Sequence, residues 1–469
     1  FRLRPGVRFH DDPCFRNGEG RAFVADDVVR CFTAICTPGL GDQMFWLFQG
    51  RIAGADAYHA AALQGRTPEH LAGVERVDDR TVRITLTEPR TDLLQVLAHP
   101  GCAIYPHEML EHYGQDATWN PVGTGPFRRK HFTPGEVLVL EREPDYWGHD
   151  ELGNRLPFLD AVRYTFVKDR EQEVREFAQG RLSAVFEPPA DHPAPPALRH
   201  GEARQQGHPG LSLQYYAFNG LRPPFNDPRV RAAFSLAIDR QAIVDSLFPG
   251  RAEPALHGIV PPGFAQYPYD SLPPFTPDPA GARDLLRAAG FPGGEGLPTI
   301  FLQVSGNGLG YVDVAGQVQG MLQRELGVRV VITVLPMGQH YERVQLGRAA
   351  FWREGWVADH PDPANFLEMF HGRHVPADTA LPSYLNTTRW QDPAFDAAMD
   401  AAMREPDELR RMHLLARADR RLMEQHVVVP LYFERQVSWS QPWVHGLDGN
   451  GMDHRDLSHV WFDPAARPR

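Results

Sequence analysis

Lysine is nearly missing from this chain: Lys130 and Lys168 are the only two among 48 basic residues. We read the arginine bias as genomic codon usage and attach no function to it. Cysteine is scarce as well. Cys14, Cys31, Cys36 and Cys102 are too few and too scattered for a disulfide scaffold, and there is no CxxC pair. Cys31 and Cys36 fall on different faces of an expected helix; one disulfide, from Cys14, stays open. No apolar run approaches the ~18 residues of a membrane-spanning helix. A basic excess is lacking too. The net charge of −11 argues against a nucleic-acid or anionic-membrane binder, both of which need a basic face.

Catalytic signatures are equally thin. Neither G-x-x-x-x-G-K-[ST] nor G-x-G-x-x-G occurs, so no glycine-rich loop is built to cradle phosphate, and there is no G-x-S-x-G elbow. His107-Glu108-x-x-x-His112 is one residue too long for a zincin: a five-residue step turns the second histidine about 140° off the first one's face. His371-Gly-Arg-His374 is the other metal candidate. With 21 histidines in the chain, a surface or hydrogen-bonded role is the simpler reading. The Ser305-Gly306-Asn307-Gly308 loop has no His or Asp to pair with its serine. No metal, no cofactor and no enzymatic reaction are expected.

What is present is a long, turn-rich globular chain. Its 469 residues exceed one compact core and imply two or three domains. Hydrophobic content of 42% and charged content of 23% are ordinary for a folded protein. Glycine (42) and proline (43) together mark many tight connections. The chain opens on Phe1–Phe9, a strand-like alternation with no Met and no signal-peptide pattern. The N-terminal part of the first lobe, with any export signal, is expected outside this sequence. Ala25-Asp26-Asp27-Val28-Val29 starts a helix with acid in its first turn. Val24 at the cap position supplies no side-chain acceptor, a loss of about 1 kcal/mol. Phe45, Trp46 and Phe48 read as core, with a ligand-facing wall as the alternative. VERVDDRTVRITL (74–86) is a hairpin. Strand-like 162–167, helical 172–179 and strand-like 182–186 give a β-α-β rhythm that implies parallel pairing, and 299–304, 312–326 and 328–334 give another. Asp227-Pro228 and Asp239 are helix starts.

The most informative stretch is FWREGWVADHPDPANF (351–366). An apolar, buried segment delivers Asp359 to its end. It then breaks at Pro361-Asp362-Pro363, which no helix interior or central strand accommodates. A buried carboxylate needs a cationic or hydrogen-bonding partner. Either an internal arginine or a ligand ammonium would serve.

Gly355-Trp356-x-x-Asp359 with its proline break resembles the extracytoplasmic solute-binding proteins of ABC importers, in the peptide/nickel class. PVGTGPF (121–127), DYWG (145–148), FNDPRVRAAFSLAIDR (225–240), VVVPLYF (427–433) and Val444-His445-Gly446-Leu447 resemble the same family in the same order. In its peptide binders the aspartate of this motif holds the ligand's α-amino group, so the resemblance implies that role for Asp359. Backbone of Gly355, Trp356, Val357 and Ala358 is expected to pair with an extended peptide. Trp352, Trp356, Tyr216 and Phe218, with Asn219, are expected around the ligand.

The resemblance implies an α/β, two-lobe, periplasmic-binding-protein-like (type II) fold with a hinge. Expected domains are 1–125 as a first-lobe extension, 126–220 plus 432–469 as the first-lobe core, and 221–431 as the second lobe, with a boundary near Gly220. It further implies capture of peptides in an interlobe cleft and delivery to an ABC permease by a periplasmic or lipid-anchored monomer. A non-peptide solute (a sugar oligomer, an opine, a metal chelate) or a ligand-sensing domain of a receptor are the alternatives.

Overall fold

The computed structural model describes the chain except residues 40–42, 67, 69, 190–194, 200, 307–309 and 467–469. Asn307 and Gly308 of the serine-glycine loop therefore lie outside the described residues. The chain forms two compact units: Phe1–Gln206 with Val437–Gly449 and His454–Arg469, and Gly207–Gln436 with Asn450–Asp453. The division falls before the strand Ser212–Phe218, so Gly220 lies inside the second unit.

In the first unit, the helix Ala25–Ile35 packs Val28, Val29, Phe32 and Ile35 into a core with Phe48 and Tyr58. Leu47 and Phe48 are buried, Phe45 stacks on His59 at 3.9 Å, and Trp46 meets His99 edge-on at 5.4 Å. Val24 cannot cap this helix, but Asp27 reaches back and accepts the Val24 N–H at 3.0 Å. That is the second half of a capping box, and it satisfies one orphan donor. Asp27 is itself 2% exposed and paired with Arg21 at 2.7 Å. Arg21 also pairs with Glu108 at 2.6 Å, which occupies the carboxylate of the zincin-like triplet. Val74–Asp78 and Thr81–Ile84 form the expected hairpin.

The family-like motifs of this unit hold one another. The Gly123 carbonyl accepts from the His10 N–H at 2.9 Å, the Thr124 carbonyl accepts from Trp147 Nε1 at 3.1 Å, and Gly125 O lies 2.9 Å from His10 Nε2. PVGTGPF is thus an acceptor loop joined to the DYWG tryptophan. The strand Ala161–Thr165 joins an antiparallel sheet with Val137–Arg142 and Phe127–Thr133. The short strand Ala184–Phe186 pairs antiparallel with Ser438–Ser440. The parallel pairing expected across 162–186 is therefore not formed: the two strands sit in different sheets, and alternation identifies a strand without identifying its neighbour.

The second unit has the parallel arrangement that its sequence implies. Ile300–Ser305 and Val330–Leu335 run parallel, joined by the helix Tyr311–Leu326. Phe351–Val357 lies parallel beside Ile300–Ser305, then Ser212–Phe218 antiparallel to it, then the strand starting at Val428. Asp227 caps Pro228–Leu236 by accepting the Arg229 N–H, and Asp239 caps Arg240–Leu247 through Ala242. Two of the three arginines of RVR…AIDR, Arg231 and Arg240, are buried staples. Arg231 donates to the carbonyls of Phe225, Gln425 and His426. Arg240, 1% exposed, donates to Pro430 O at 2.6 Å and lies over the Phe275 ring.

Candidate functional site

The strand Phe351–Val357 ends as the notional delivery arm for Asp359. Its first three residues are buried and Val357 is exposed. The Ala358 N–H still reaches Leu211 O at 2.9 Å, and Asp359 follows as the chain turns. On one side the strand pairs with Ser212–Phe218 along its whole length. On the other, pairing with Ile300–Ser305 stops at Trp352. Beyond Trp352 the outer edge has no strand partner among the described residues, apart from the His340 ring at 3.0 Å from Arg353 O. Gly355 fits because a Cβ there would lie 2.7 Å from Gln214 Oε1 and 2.8 Å from Arg353 Nη2.

Asn365 fixes the turn. Its Oδ1 accepts from Trp356 Nε1 at 2.8 Å and from the Asp359 N–H at 3.1 Å, while its Nδ2 donates to Asp359 Oδ2 at 3.3 Å. One amide thus holds the indole, the backbone and the carboxylate. Asp359 is half-buried, and among the described residues it forms no ion pair. The internal arginine anticipated for this stretch goes to Asp362 instead. Arg411 Nη2 lies 2.7 and 2.6 Å from the two Asp362 oxygens, and both side chains are 2% exposed. Asp362 Oδ1 also accepts the Ala364 N–H.

Of the expected site residues, Gly355, Trp356, Val357, Ala358 and Asp359 come together at this strand end. The others do not. Tyr216 (0% exposed) and Phe218 (1%) pack against Phe351, Phe225 and Phe234 in the core beneath the helices. Trp352 (1%) lies in the opposite core layer, its Nε1 bound to Glu354 Oε2 at 2.8 Å. Asn219 is buried and donates to Gly347 O. The structure places these four in the core and in loop bracing, because both faces of the central strands are covered. Asn365, Asp362 and Arg411 were not singled out from sequence. The available signals were an amide six residues beyond Asp359 and an aspartate flanked by two prolines.

The two histidines of His371-Gly-Arg-His374 lie against carboxylates. His374 Nε2 lies 2.6 Å from Glu368 Oε1, and His371 lies between Asp396 and Asp400 at 3.4 and 3.3 Å. Burial opposes ionisation of Glu368, but His374 and Arg373 outweigh it and pull the carboxyl down to about 2. Among the described residues, no group of three or more His, Cys, Asp and Glu side chains has metal-holding geometry. No described helix is long and apolar enough to cross a membrane.

The family model of the bacterial extracellular solute-binding proteins, family 5 (middle), matches residues 1–375. The glutathione-binding protein GsiB of Salmonella typhimurium is 29% identical over 404 residues, covering 83% of this chain and 75% of GsiB. The periplasmic oligopeptide-binding protein OppA of Escherichia coli is 28% identical over 466 residues, covering 96% of this chain and 79% of OppA. In fold, the chain superimposes on the periplasmic binding protein DppA of Helicobacter pylori, solved with the peptide STSA, with a TM-score of 0.75 at 23% identity. That match covers 98% of this chain and 86% of DppA, and gives this chain the two-lobe α/β fold of periplasmic binding proteins. Because the family match runs from the opening residue through the Asp359 turn, the chain belongs to the bacterial extracellular solute-binding proteins of family 5.

Proposed function

We propose that this protein captures peptides by their free α-ammonium at Asp359 and delivers them to the permease of an ABC importer, acting outside the cytoplasm as a monomer. The observation that carries this reading is the carboxylate of Asp359. It is half-buried, oriented by Asn365, and without a cation among the described residues, while its neighbour Asp362 takes the buried arginine. A peptide ammonium leaving water needs such a charge-assisted acceptor. The edge of Phe351–Val357 beyond Trp352 adds main-chain groups that can pair with an extended peptide whatever its side chains. The relatives named for oligopeptide and glutathione binding support a peptide solute, and capture without conversion is the activity of the class.

Mass spectrometry of solute co-purified with the protein identifies the ligand class; a sugar, opine or chelate would overturn the peptide assignment. Calorimetry with the identified peptide then tests the anchor. Asp359→Ala should weaken binding by roughly 30- to 100-fold, the lower part of the range for breaking a hydrogen-bonded charge pair, because the site is half-buried. N-acetylation of the peptide should weaken it comparably, and the acetylated peptide should be insensitive to Asp359→Ala. Additive losses would remove Asp359 from contact with the ammonium.

A further inference from the structure

The second unit carries a concave groove of about 580 Å³ over the strands Ile300–Ser305 and Val330–Leu335. It is lined at the starts of the strands Ile300–Ser305 and Phe351–Val357 and at the turn after Ser212–Phe218. From there the lining runs on through Gln303, Thr333 and Leu335 along the parallel pair Ile300–Ser305 and Val330–Leu335. Its size falls within the range of small-molecule sites, roughly 300–1,000 Å³.

The lining is unbalanced in charge. Arg222, Arg343 and Arg348 contribute to it, and no aspartate or glutamate does. None of the three arginines forms an ion pair with a carboxylate among the described residues. Arg343 donates through Nε to the neutral Gln303 Oε1 at 3.0 Å. Behind them lies a fourth guanidinium. Arg389 is 4% exposed and donates through Nη2 to the carbonyls of Gln345 and Leu381, while its Nε and Nη1 have no acceptor. Burial first, and then the nearby charge of Arg222, push its pKa below the usual arginine value. Four uncompensated cations gathered in a chain of net charge −11 mark a place where an anion relieves repulsion. The guanidinium fork suits carboxylate or phosphate. Apart from Thr299, Gln303 and Thr333 the remaining wall is apolar: Phe301, 59% exposed, and Leu335 lie on the same sheet face.

We propose that this groove is a second ligand site, for a small anion with two or more carboxylate or phosphate groups on an apolar or aromatic body. Arg222 and Arg348 would hold the anionic groups, and the body would rest on Phe301. The site stands independently of peptide capture at Asp359.

Benzene-1,2,4-tricarboxylate is the probe, titrated calorimetrically into the full chain at low ionic strength. One-to-one saturable binding is expected, weakened at least tenfold by Arg222→Gln with Arg348→Gln and weakened again by raised salt. Both arginines are exposed, so the double variant should retain the wild-type melting temperature. Thr333→Glu, which sets a carboxylate in the groove, should abolish binding. Citrate, which lacks the ring, should bind more weakly. Asp359→Ala should leave the tricarboxylate titration unchanged, which separates a failure here from a failure of the peptide anchor. Absence of saturable binding, equal binding by the double variant, or loss on Asp359→Ala would overturn the proposal. So would a response to a poly-glutamate peptide alone, which would make the groove a docking surface for an acidic protein segment.

Discussion

Arg411 Nη2 donates to both carboxylate oxygens of Asp362, at 2.7 and 2.6 Å, with each side chain 2% exposed. Removing one partner strands a charge in the interior, so Asp362→Ala should lower unfolding free energy by about 3–5 kcal/mol in denaturant melts. Asp359→Ala should change it by less than about 1 kcal/mol, since that carboxylate is half-buried and answers only to an amide. If the two variants were equally destabilised, the division of labour between these aspartates would be wrong. The sequence displayed both aspartates but not this division. The arginine that decides it sits 49 positions away on the helix Glu408–Glu424. The core placement of Tyr216 and Phe218 is hidden in the sequence for a related reason. Strand Ser212–Phe218 is buried at every position. With both faces covered, alternation cannot separate a ligand face from a core face.

At the scale of elements, Asn365 joins the end of one strand to the turn that follows. Its three hydrogen bonds, to Trp356, the Asp359 N–H and the Asp359 carboxylate, form a single latch. At about 1 kcal/mol or less each in a half-exposed setting, Asn365→Ala should cost about 1–2 kcal/mol of stability. Its larger effect should be on binding. With Asp359 no longer held, affinity for a free-amino peptide should fall about tenfold, while the N-acetylated peptide binds unchanged. Calorimetry with both peptides checks this, and an equal fall for both would make Asn365 a general strut. Local devices of this kind were partly readable: the caps at Asp227 and Asp239 formed as their sequences require. The Val24 helix start showed a missing cap but not the Asp27 side chain that compensates.

Across the whole molecule, motif order carried the family and fold, while pairing between distant segments stayed hidden. Ala184–Phe186 finds its partner at Ser438–Ser440, far along the chain, and no local pattern announces that. Asp419 is another product of distant packing. Fully buried on the helix Glu408–Glu424, it accepts from the Ile259 N–H at 3.2 Å and from Tyr267 Oη at 2.9 Å, with no cation in contact among the described residues. Burial outweighs these donors and raises its pKa to about 6, against about 3.9 in an unfolded chain. Between those values the folded state keeps a proton that the unfolded state releases. Stability from this group is therefore present below about pH 4 and lost as pH rises through 6, by about 3 kcal/mol in all. Asp419→Asn keeps an acceptor oxygen and cannot ionise. Its unfolding free energy relative to wild type should rise by about 2–3 kcal/mol between pH 4 and pH 7.5, measured by urea melts at both values. Taking the difference removes the other titrating groups, including Glu368, whose depressed pKa of about 2 acts with the opposite sign at lower pH. A flat difference would mean that Asp419 ionises freely in the fold, and a falling one that a cation reaches it.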